Sequence, residues 1–268
     1  MKTVLKMFSL AMMLVVISAG AALATPSTQI WIPSTDIQPF ASFHLDVDNY
    51  FRASAKGTSV SSGRDPNILD IGPLVGILPF QKIQAEVGLD YYVLGTNPND
   101  NHPLVGNFKI GTPEDSLFKY SPALAVGMYN LGPNNYGRFN FDGSLGPAAF
   151  ITSGQNIAYA LAARTLPIIG RISAGGYHGS QRALVDPNGH SANEGVLVSW
   201  DRTISEVSDK LWLAVDYMGG NNVDGAVSVG ASWNFAKNVA VMFGYDIWHE
   251  KALAGNNTFT VQLDINYP

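Results

Sequence analysis

The chain has 268 residues, with 16 lysines and arginines against 21 aspartates and glutamates, and it contains no cysteine. The acidic balance argues against a nucleic-acid partner, because phosphate binding needs a basic surface. The lack of cysteine excludes disulfide bonds and thiolate metal sites, so stability has to come from packing or from a closed hydrogen-bonded sheet.

The N-terminus has the form of a secretory signal peptide, residues 1–24. Lys2 and Lys6 precede an apolar run over residues 7–17, and small residues lead up to Ala24. The apolar run is short of the roughly 20 residues that a transmembrane helix needs. We therefore predict export with cleavage after Ala24. The mature domain, residues 25–268, would then carry 14 basic residues against 21 acidic ones, a formal charge of −7.

Twelve segments of the mature chain alternate apolar and polar residues, which is the pattern of β-strands with two different faces. In the third segment, Ile83, Val87 and Leu89 alternate with Glu86 and Asp90. No mature segment is apolar over the length of a membrane-spanning helix, so a membrane location would require a closed barrel. The predicted strands are residues 41–54, 68–78, 82–94, 104–111, 123–131, 156–166, 170–180, 195–204, 210–219, 226–235, 239–249 and 258–267.

The connections between these strands alternate in length. Long loops rich in glycine, asparagine and proline follow the odd-numbered strands, whereas the links after even-numbered strands are mostly short, as at residues 78–82 and 235–238. Long loops at one end and short turns at the other are typical of a barrel threaded through a membrane. One link, residues 112–122, is long for a short turn. We therefore expect about 12 strands, within a range of roughly 10 to 14.

Aromatic residues lie near the ends of several predicted strands. Trp233 and Phe235 precede a short turn. Four more are expected toward the long loops: Tyr91, Trp200, Tyr217 and Tyr245. Tyrosine and tryptophan have an apolar body and a polar tip, so two such belts indicate the two interfaces of a membrane.

The last predicted strand, TFTVQLDINYP, alternates Phe259, Val261, Leu263 and Ile265 with polar residues and ends at the aromatic Tyr267. In this pattern the chain resembles the bacterial outer-membrane β-barrel proteins. The resemblance covers the mature chain and singles out no one family. It implies an all-β fold, an antiparallel up-and-down transmembrane barrel, and a location in the cell outer membrane.

The polar faces of the strands would then line the lumen. Small residues predicted to point inward leave space on one wall: Ala158, Ala160, Ala162, Gly175, Gly230 and Gly244. Acids outnumber bases among the candidate lumen-lining residues, which predicts a slightly acidic lumen that favours cations. These candidates are His44, Asp46, Asp48, Arg52, Lys82, Glu86, Asp90, Arg164, Arg171, Asp216, Asp246 and Asp264.

These features predict a porin-like channel or small-solute transporter, with outer-membrane lipid and small solutes or ions as its partners. We identify no catalytic motif, no metal site and no cofactor site in the sequence. Three alternatives stay open. They are a plugged structural or adhesive barrel that binds surface partners through loops such as residues 132–155, an outer-membrane enzyme acting at the rim through His249 and Asp246, and a secreted soluble β-sandwich.

Overall fold

The computed structural model describes residues 27–54, 67–93, 103–133 and 153–268. The predicted signal peptide, residues 1–24, lies outside these ranges, and so does most of the predicted partner-binding loop. No helix in the described ranges has the length and apolarity of a membrane span.

The described chain contains twelve strands and one helical turn, α1 (Lys251–Ala254). Each strand matches a predicted segment to within a few residues, so the expected number of strands is confirmed. The strands are β1 (Phe43–Phe51), β2 (Ile68–Gly76), β3 (Gln84–Val93), β4 (Leu104–Thr112), β5 (Ala123–Leu131), β6 (Ile157–Leu166), β7 (Gly170–His178), β8 (Glu194–Thr203), β9 (Leu211–Met218), β10 (Ala226–Ala236), β11 (Val239–Trp248) and β12 (Thr258–Tyr267).

The sheet closes on itself. Every strand pairs antiparallel with its neighbours in the chain, and β1 pairs with β12 from Phe43 opposite Tyr267 to Phe51 opposite Phe259. Closure removes the two sheet edges, so the backbone N–H and C=O groups of the first and last strands are also paired. The predicted up-and-down barrel is therefore confirmed, and the soluble β-sandwich is wrong.

The outer surface of the barrel is apolar and the inner surface polar. On β3 and the turn before it, Ile83, Val87 and Leu89 are exposed, whereas Glu86 and Asp90 are buried inside. This is the reverse of a soluble protein, in which the apolar face is the buried one. The resemblance to outer-membrane β-barrel proteins is therefore confirmed at the level of the fold.

Aromatic side chains lie at both ends of the outer surface, with one difference from the prediction. Trp233 and Phe235 are exposed near the short turns, and Tyr91 is exposed near the long loops. The indole of Trp200, expected near the long loops, donates to the carbonyl of Ile169 in the short turn between β6 and β7, at 2.8 Å. Strand β8 runs from a long loop to a short turn, so its later residues lie at the short-turn end.

The long link between β4 and β5 folds against the end of β6 and adds no strand. The backbone N–H and the hydroxyl of Thr165 both donate to Oε1 of Glu114, at 2.9 and 2.8 Å. Nη1 of Arg164 donates to Oδ1 of Asp115 at 2.9 Å. The hydrogen bond from this guanidinium lowers the pKa of Asp115. The extra residues of this link therefore form a contact with β6 at the barrel rim.

The chain before β1 enters the lumen as a tight hairpin. Residues 27–38, here called the lumen segment, turn back on themselves through hydrogen bonds from Gln29 N to Ile32 O (2.7 Å) and from Ser34 N to Ser27 O (3.0 Å). The side chains of Ile30 and Ile32, near the tip of this turn, are almost completely buried. The sequence pattern did not predict this segment, which shows no alternation and precedes the first strand.

If the outer face of the barrel contacts lipid, a charged residue placed on it should lower the free energy of unfolding, by an amount that depends on its depth in the membrane. Val126 lies near the middle of β5 and is 52% exposed on the outer face. Val126→Arg should lower the free energy of unfolding in lipid vesicles by about 2–4 kcal/mol. Leu104→Arg, at the loop end of β4, is the matched control and should cost about 0–1 kcal/mol. Denaturant titration read by heat-modifiable gel mobility measures both, and equal penalties would contradict a membrane around the mid-strand position.

Candidate functional site in the barrel lumen

The lumen segment is anchored by one buried carboxylate on β9. Oδ2 of Asp216 accepts hydrogen bonds from the backbone N–H groups of Ile30 (2.8 Å), Trp31 (2.9 Å) and Ile32 (3.4 Å). Three donors converge on one oxygen because the tight turn points its N–H groups in the same direction. From β12, Nε2 of Gln262 donates to the carbonyl of Ile30 at 2.8 Å. The tip of the segment is thus fixed through its main chain.

A second anchor, on β3 and β4, holds both ends of the segment. Lys109 forms an ion pair with Glu86 at 3.0 Å and donates to the carbonyls of Ser27 (2.8 Å) and Asp36 (2.7 Å). Oε2 of Glu86 accepts from the backbone N–H of Gln38 at 2.7 Å. Each buried charge therefore has an opposite charge and main-chain partners, as buried ions require.

A third anchor lies on β7 and β8. Arg171 bridges two carboxylates, with Nη1 2.6 Å from Asp36 Oδ1 and Nε 2.9 Å from Asp201 Oδ1. Nε2 of Gln29 donates to the same oxygen of Asp201 at 3.0 Å. Strands on several sides of the barrel thus hold the segment, which places it across the lumen.

Apolar contacts complete the fit of the segment. Ile32 packs in a buried cluster with Ile157, Leu161 and other apolar residues of the wall. Ile30 lies against two glycines, because a Cβ at Gly230 or Gly244 would stand 3.1 or 3.2 Å from its side chain. These two glycines leave space in the wall because they have no side chain, and the side chain of Ile30 fills it.

A cavity remains between the lumen segment and the wall formed mainly by β1–β6. Its volume is about 190 Å³. Aromatic rings surround much of it: Trp31, Tyr50, Tyr92, Tyr129, Tyr159 and Trp248. Carboxylates also line it, from Asp46, Asp48, Asp70, Glu86, Asp90 and Asp224. Two cationic residues line the same cavity, Arg52 and Lys109.

Both cationic residues already have partners. Lys109 is held by Glu86 and by the segment, and Nε of Arg52 donates to the carbonyl of Asn256 at 3.0 Å, with a further bond to the carbonyl of Ala254. Among the described residues, Oδ1 of Asp48 and Oδ1 of Asp70 have no hydrogen-bond partner. The β1–β2 side of the cavity therefore presents carboxylate oxygens that no described residue pairs.

Asp224, in the loop between β9 and β10, closes the cavity toward the long loops. Its carbonyl accepts from the indole N–H of Trp31 at 2.8 Å, and its Oδ1 accepts from Nε2 of Gln155 at 3.1 Å. Burial raises the pKa of Asp224 to about 6. Because burial disfavours the ionised form, this carboxyl costs the folded state least at acidic pH, and the cost grows as the pH rises from its ordinary pKa through 6.

Of the twelve residues predicted to line the lumen, two lie outside it and ten lie inside. Lys82 is exposed in the turn before β3 and does not reach the lumen, because β3 begins only at Gln84. Arg164 is at the rim, bound to the β4–β5 link. The other ten lie on the inner side of the barrel wall: His44, Asp46, Asp48, Arg52, Glu86, Asp90, Arg171, Asp216, Asp246 and Asp264.

The predicted direction of one strand was wrong. On β6, Ala160 is exposed to the outside, and Tyr159 and Leu161 are the buried inward residues. Ala158, Ala160 and Ala162 therefore face outward, and this wall is bulky instead of open. The run AYALAA consists mostly of apolar residues, so alternation alone does not distinguish its two faces.

Sequence reasoning missed Lys109, Asp70 and the lumen segment. For Lys109 and Asp70 the signal was present, since each lies in phase with inward residues of its strand, such as Asn107 in β4. For the lumen segment no strand pattern exists. The local features of the segment are Pro33, the polar residues on both sides of its apolar centre and its position before the first strand.

The rim pair considered for an enzyme has separate partners. Asp246 is fully buried in the lumen and accepts from the hydroxyl of Thr258 at 2.7 Å. His249 is exposed, and its ring lies 5.3 Å from the ring of Tyr217. The two side chains therefore do not form an acid–base pair. Within the described ranges, no group of three or more histidine, aspartate or glutamate residues is placed to hold a metal ion.

Comparison with known proteins gives similarity in structure alone. No family model and no curated protein matches the chain. An outer-membrane channel from Pseudomonas putida F1 is 12% identical, with a TM-score of 0.48, over 86% of this chain and 96% of the channel. OmpF of Salmonella typhi, solved with daunomycin, is 9% identical, with a TM-score of 0.37, over 84% of this chain and 96% of OmpF.

The Asp216 anchor predicts a local effect on the lumen segment. Asp216→Ala removes the acceptor of three main-chain donors, and hydrogen bonds to a charged group contribute about 1.5–3 kcal/mol. Hydrogen exchange at the amides of residues 30–32 should therefore become faster by about tenfold to a hundredfold. Ser199 lies directly opposite Asp216 on β8, and its hydroxyl has no partner among the described residues. Ser199→Ala is thus the control, and unchanged exchange in Asp216→Ala would contradict the anchor.

Proposed function

We propose that the mature chain, residues 25–268 after cleavage behind Ala24, is an outer-membrane channel for small solutes whose resting state is closed by the lumen segment. The observation that carries this proposal is the cavity beside the segment. Its wall keeps carboxylate oxygens on Asp48 and Asp70 without partners in the described residues. A lumen built only as a rigid plug would pair such groups, since an unpaired buried carboxylate is costly.

The way the segment is held also supports reversible closure. Its contacts to the wall are largely hydrogen bonds and ion pairs, at Asp216, Lys109 and Arg171. Water entering the lumen can replace each of these partners. Residues 39–42 join the segment to β1 and are bonded to Gly76, so the segment can leave the lumen without disturbing the strand pairing that closes the sheet.

A barrel closed permanently by the segment is the second candidate. The observation that favours it is the apolar packing of Ile30 and Ile32, both almost completely buried against the wall. Such a barrel would act through its loops at the cell surface. It would not conduct under any condition that leaves the barrel folded.

A disulfide between the segment and the wall distinguishes these two candidates. A Cβ built at Gly244 lies 3.2 Å from Cγ2 of Ile30, which is one bond from the Cβ of Ile30. Disulfides need Cβ atoms about 3.8 Å apart. The double substitution Ile30→Cys and Gly244→Cys should therefore form a bond once the methyl group of Thr260, 2.9 Å from the new Cβ, has rotated away. Because the natural sequence has no cysteine, this disulfide would be the only one.

We expect the oxidised double variant to be silent in planar bilayers and to recover wild-type conductance when a reductant is added. Removal of residues 27–38 should raise the conductance severalfold above wild type, because it empties the lumen. The two single cysteine variants control for the substitutions themselves. Conductance that is the same in the oxidised and reduced states would contradict gating by the segment, and a silent deletion variant that is correctly folded would favour permanent closure.

A further inference from the structure

We propose that the lumen cavity binds a small organic cation, an ammonium group carried on an apolar body, with Asp48 as the main counter-charge. The inference deepens the proposed function by giving the class of solute, and it rests on that function for the route by which the solute reaches the cavity. Binding itself requires only a folded barrel with the lumen segment in place.

The β1–β2 wall of the cavity carries two carboxylates with unpaired oxygens. Asp48 is 8% exposed and lines the cavity, and its Oδ1 has no hydrogen-bond partner in the described part of the chain. In the strand register Asp48 stands directly opposite Asp70, which also has an unpaired buried oxygen. Like charges placed opposite each other repel. A cation between the two carboxylates would relieve this repulsion and supply the missing donors.

Two further carboxylates, Asp46 and Asp90, lie close together on the same wall. Asp46 stands opposite Gly72 in the register, and a Cβ at Gly72 would lie 2.3 Å from Oδ1 of Asp46 and 2.6 Å from Oδ1 of Asp90. These two carboxylates therefore meet over the glycine. Asp90 accepts from Nδ2 of Asn107 at 2.5 Å, a neutral partner that leaves the negative charge in place.

Aromatic rings line the same cavity beside these acids. Trp31 of the lumen segment packs edge-on against Tyr50 and Trp248, with ring centroids 5.3 and 4.9 Å apart. Tyr92 and Tyr129 extend the aromatic lining of the same cavity. Ring faces attract ammonium groups, and the attraction is stronger where water is excluded. Carboxylates combined with aromatic rings favour an organic cation over a fully hydrated inorganic one.

The size of the cavity and the spacing of its acids limit the ligand further. A cavity of roughly 150 Å³ holds benzene, so the cavity of about 190 Å³ has room for a ring with a short aminoalkyl arm. The acids do not converge as a metal site would need, since no group of three or more potential ligands is found in the described ranges. The paired Lys109 and Arg52 leave no cation for an anionic ligand to bind. The benzylammonium ion fits these limits.

The test is binding of benzylammonium at pH 7 to the purified mature barrel in detergent, measured by calorimetry and by intrinsic tryptophan fluorescence, to which Trp31 and Trp248 contribute. Benzyl alcohol is the neutral probe of the same shape, and benzoate is the anionic one. We expect saturable binding of benzylammonium, at least tenfold tighter than benzyl alcohol, and no binding of benzoate. Equal affinities for benzylammonium and benzyl alcohol would overturn the proposal in favour of a merely apolar cavity.

Two variants locate the site. Asp48→Asn should weaken benzylammonium binding at least tenfold and leave the weak binding of benzyl alcohol unchanged. Asp209→Asn is the matched control, because it removes the same charge from an exposed turn between β8 and β9 and should leave the affinity within twofold of wild type. If Asp48→Asn does not fold, judged by heat-modifiable mobility, Asp70→Asn takes its place with the same expectation. Unchanged affinity in the folded variant would overturn the site.

Competition by sodium tests the class of cation, and conductance tests the channel independently of binding. Sodium chloride should weaken binding only gradually through screening, and displacement by millimolar sodium would identify an inorganic cation site and overturn the organic one. Binding in detergent does not depend on passage through the barrel. A protein that binds benzylammonium and never conducts would thus contradict the channel alone, and a protein that conducts without binding would contradict the cation site alone.

Discussion

Closure of the sheet between β1 and β12 is the constraint on which the rest of the structure depends. In lipid, an unpaired backbone group has no water to bind, and each one costs several kcal/mol. Once the sheet closes, the number of strands sets the width of the lumen. Eight strands leave an interior that side chains fill, and 16–18 strands leave an aqueous channel. Twelve strands lie between these limits, so wall side chains alone do not fill this lumen and a further piece of chain fits inside it.

The lumen segment uses main-chain groups to compensate a charged wall. Asp216 is satisfied by three backbone N–H groups, and Lys109 by two backbone carbonyls besides Glu86. Main-chain partners do not depend on which side chains the segment carries, which suits a segment without a regular pattern. The compensation is uneven, however. It reaches β3, β4, β7, β8, β9 and β12, and it leaves the aspartates of β1 and β2 facing the cavity.

Most of the barrel could be predicted from the sequence because lipid imposes a period of two on every strand. Glu86 and Asp90 against Val87 and Leu89 show the rule, and the same rule would have placed Lys109 in the lumen. The rule fails where both faces are apolar, as in β6 around Tyr159. It also gives no information about the lumen segment. The place of that segment depends on contacts between residues almost two hundred positions apart, such as Ile30 with Asp216, and local sequence patterns do not encode contacts of that range.

Trp31 links the cavity to the position of the lumen segment. Its ring forms part of the cavity wall, its backbone N–H binds Asp216, and its indole N–H binds the carbonyl of Asp224. A ligand can shift an equilibrium between two states only by its difference in affinity for them. A cation that contacts Trp31 in the cavity has that contact only while the segment is inside. If the cavity binds a cation and the segment gates the channel, as we propose, occupancy of the cavity would stabilise the closed state. A solute passing through would then have to release Trp31 before the segment moved.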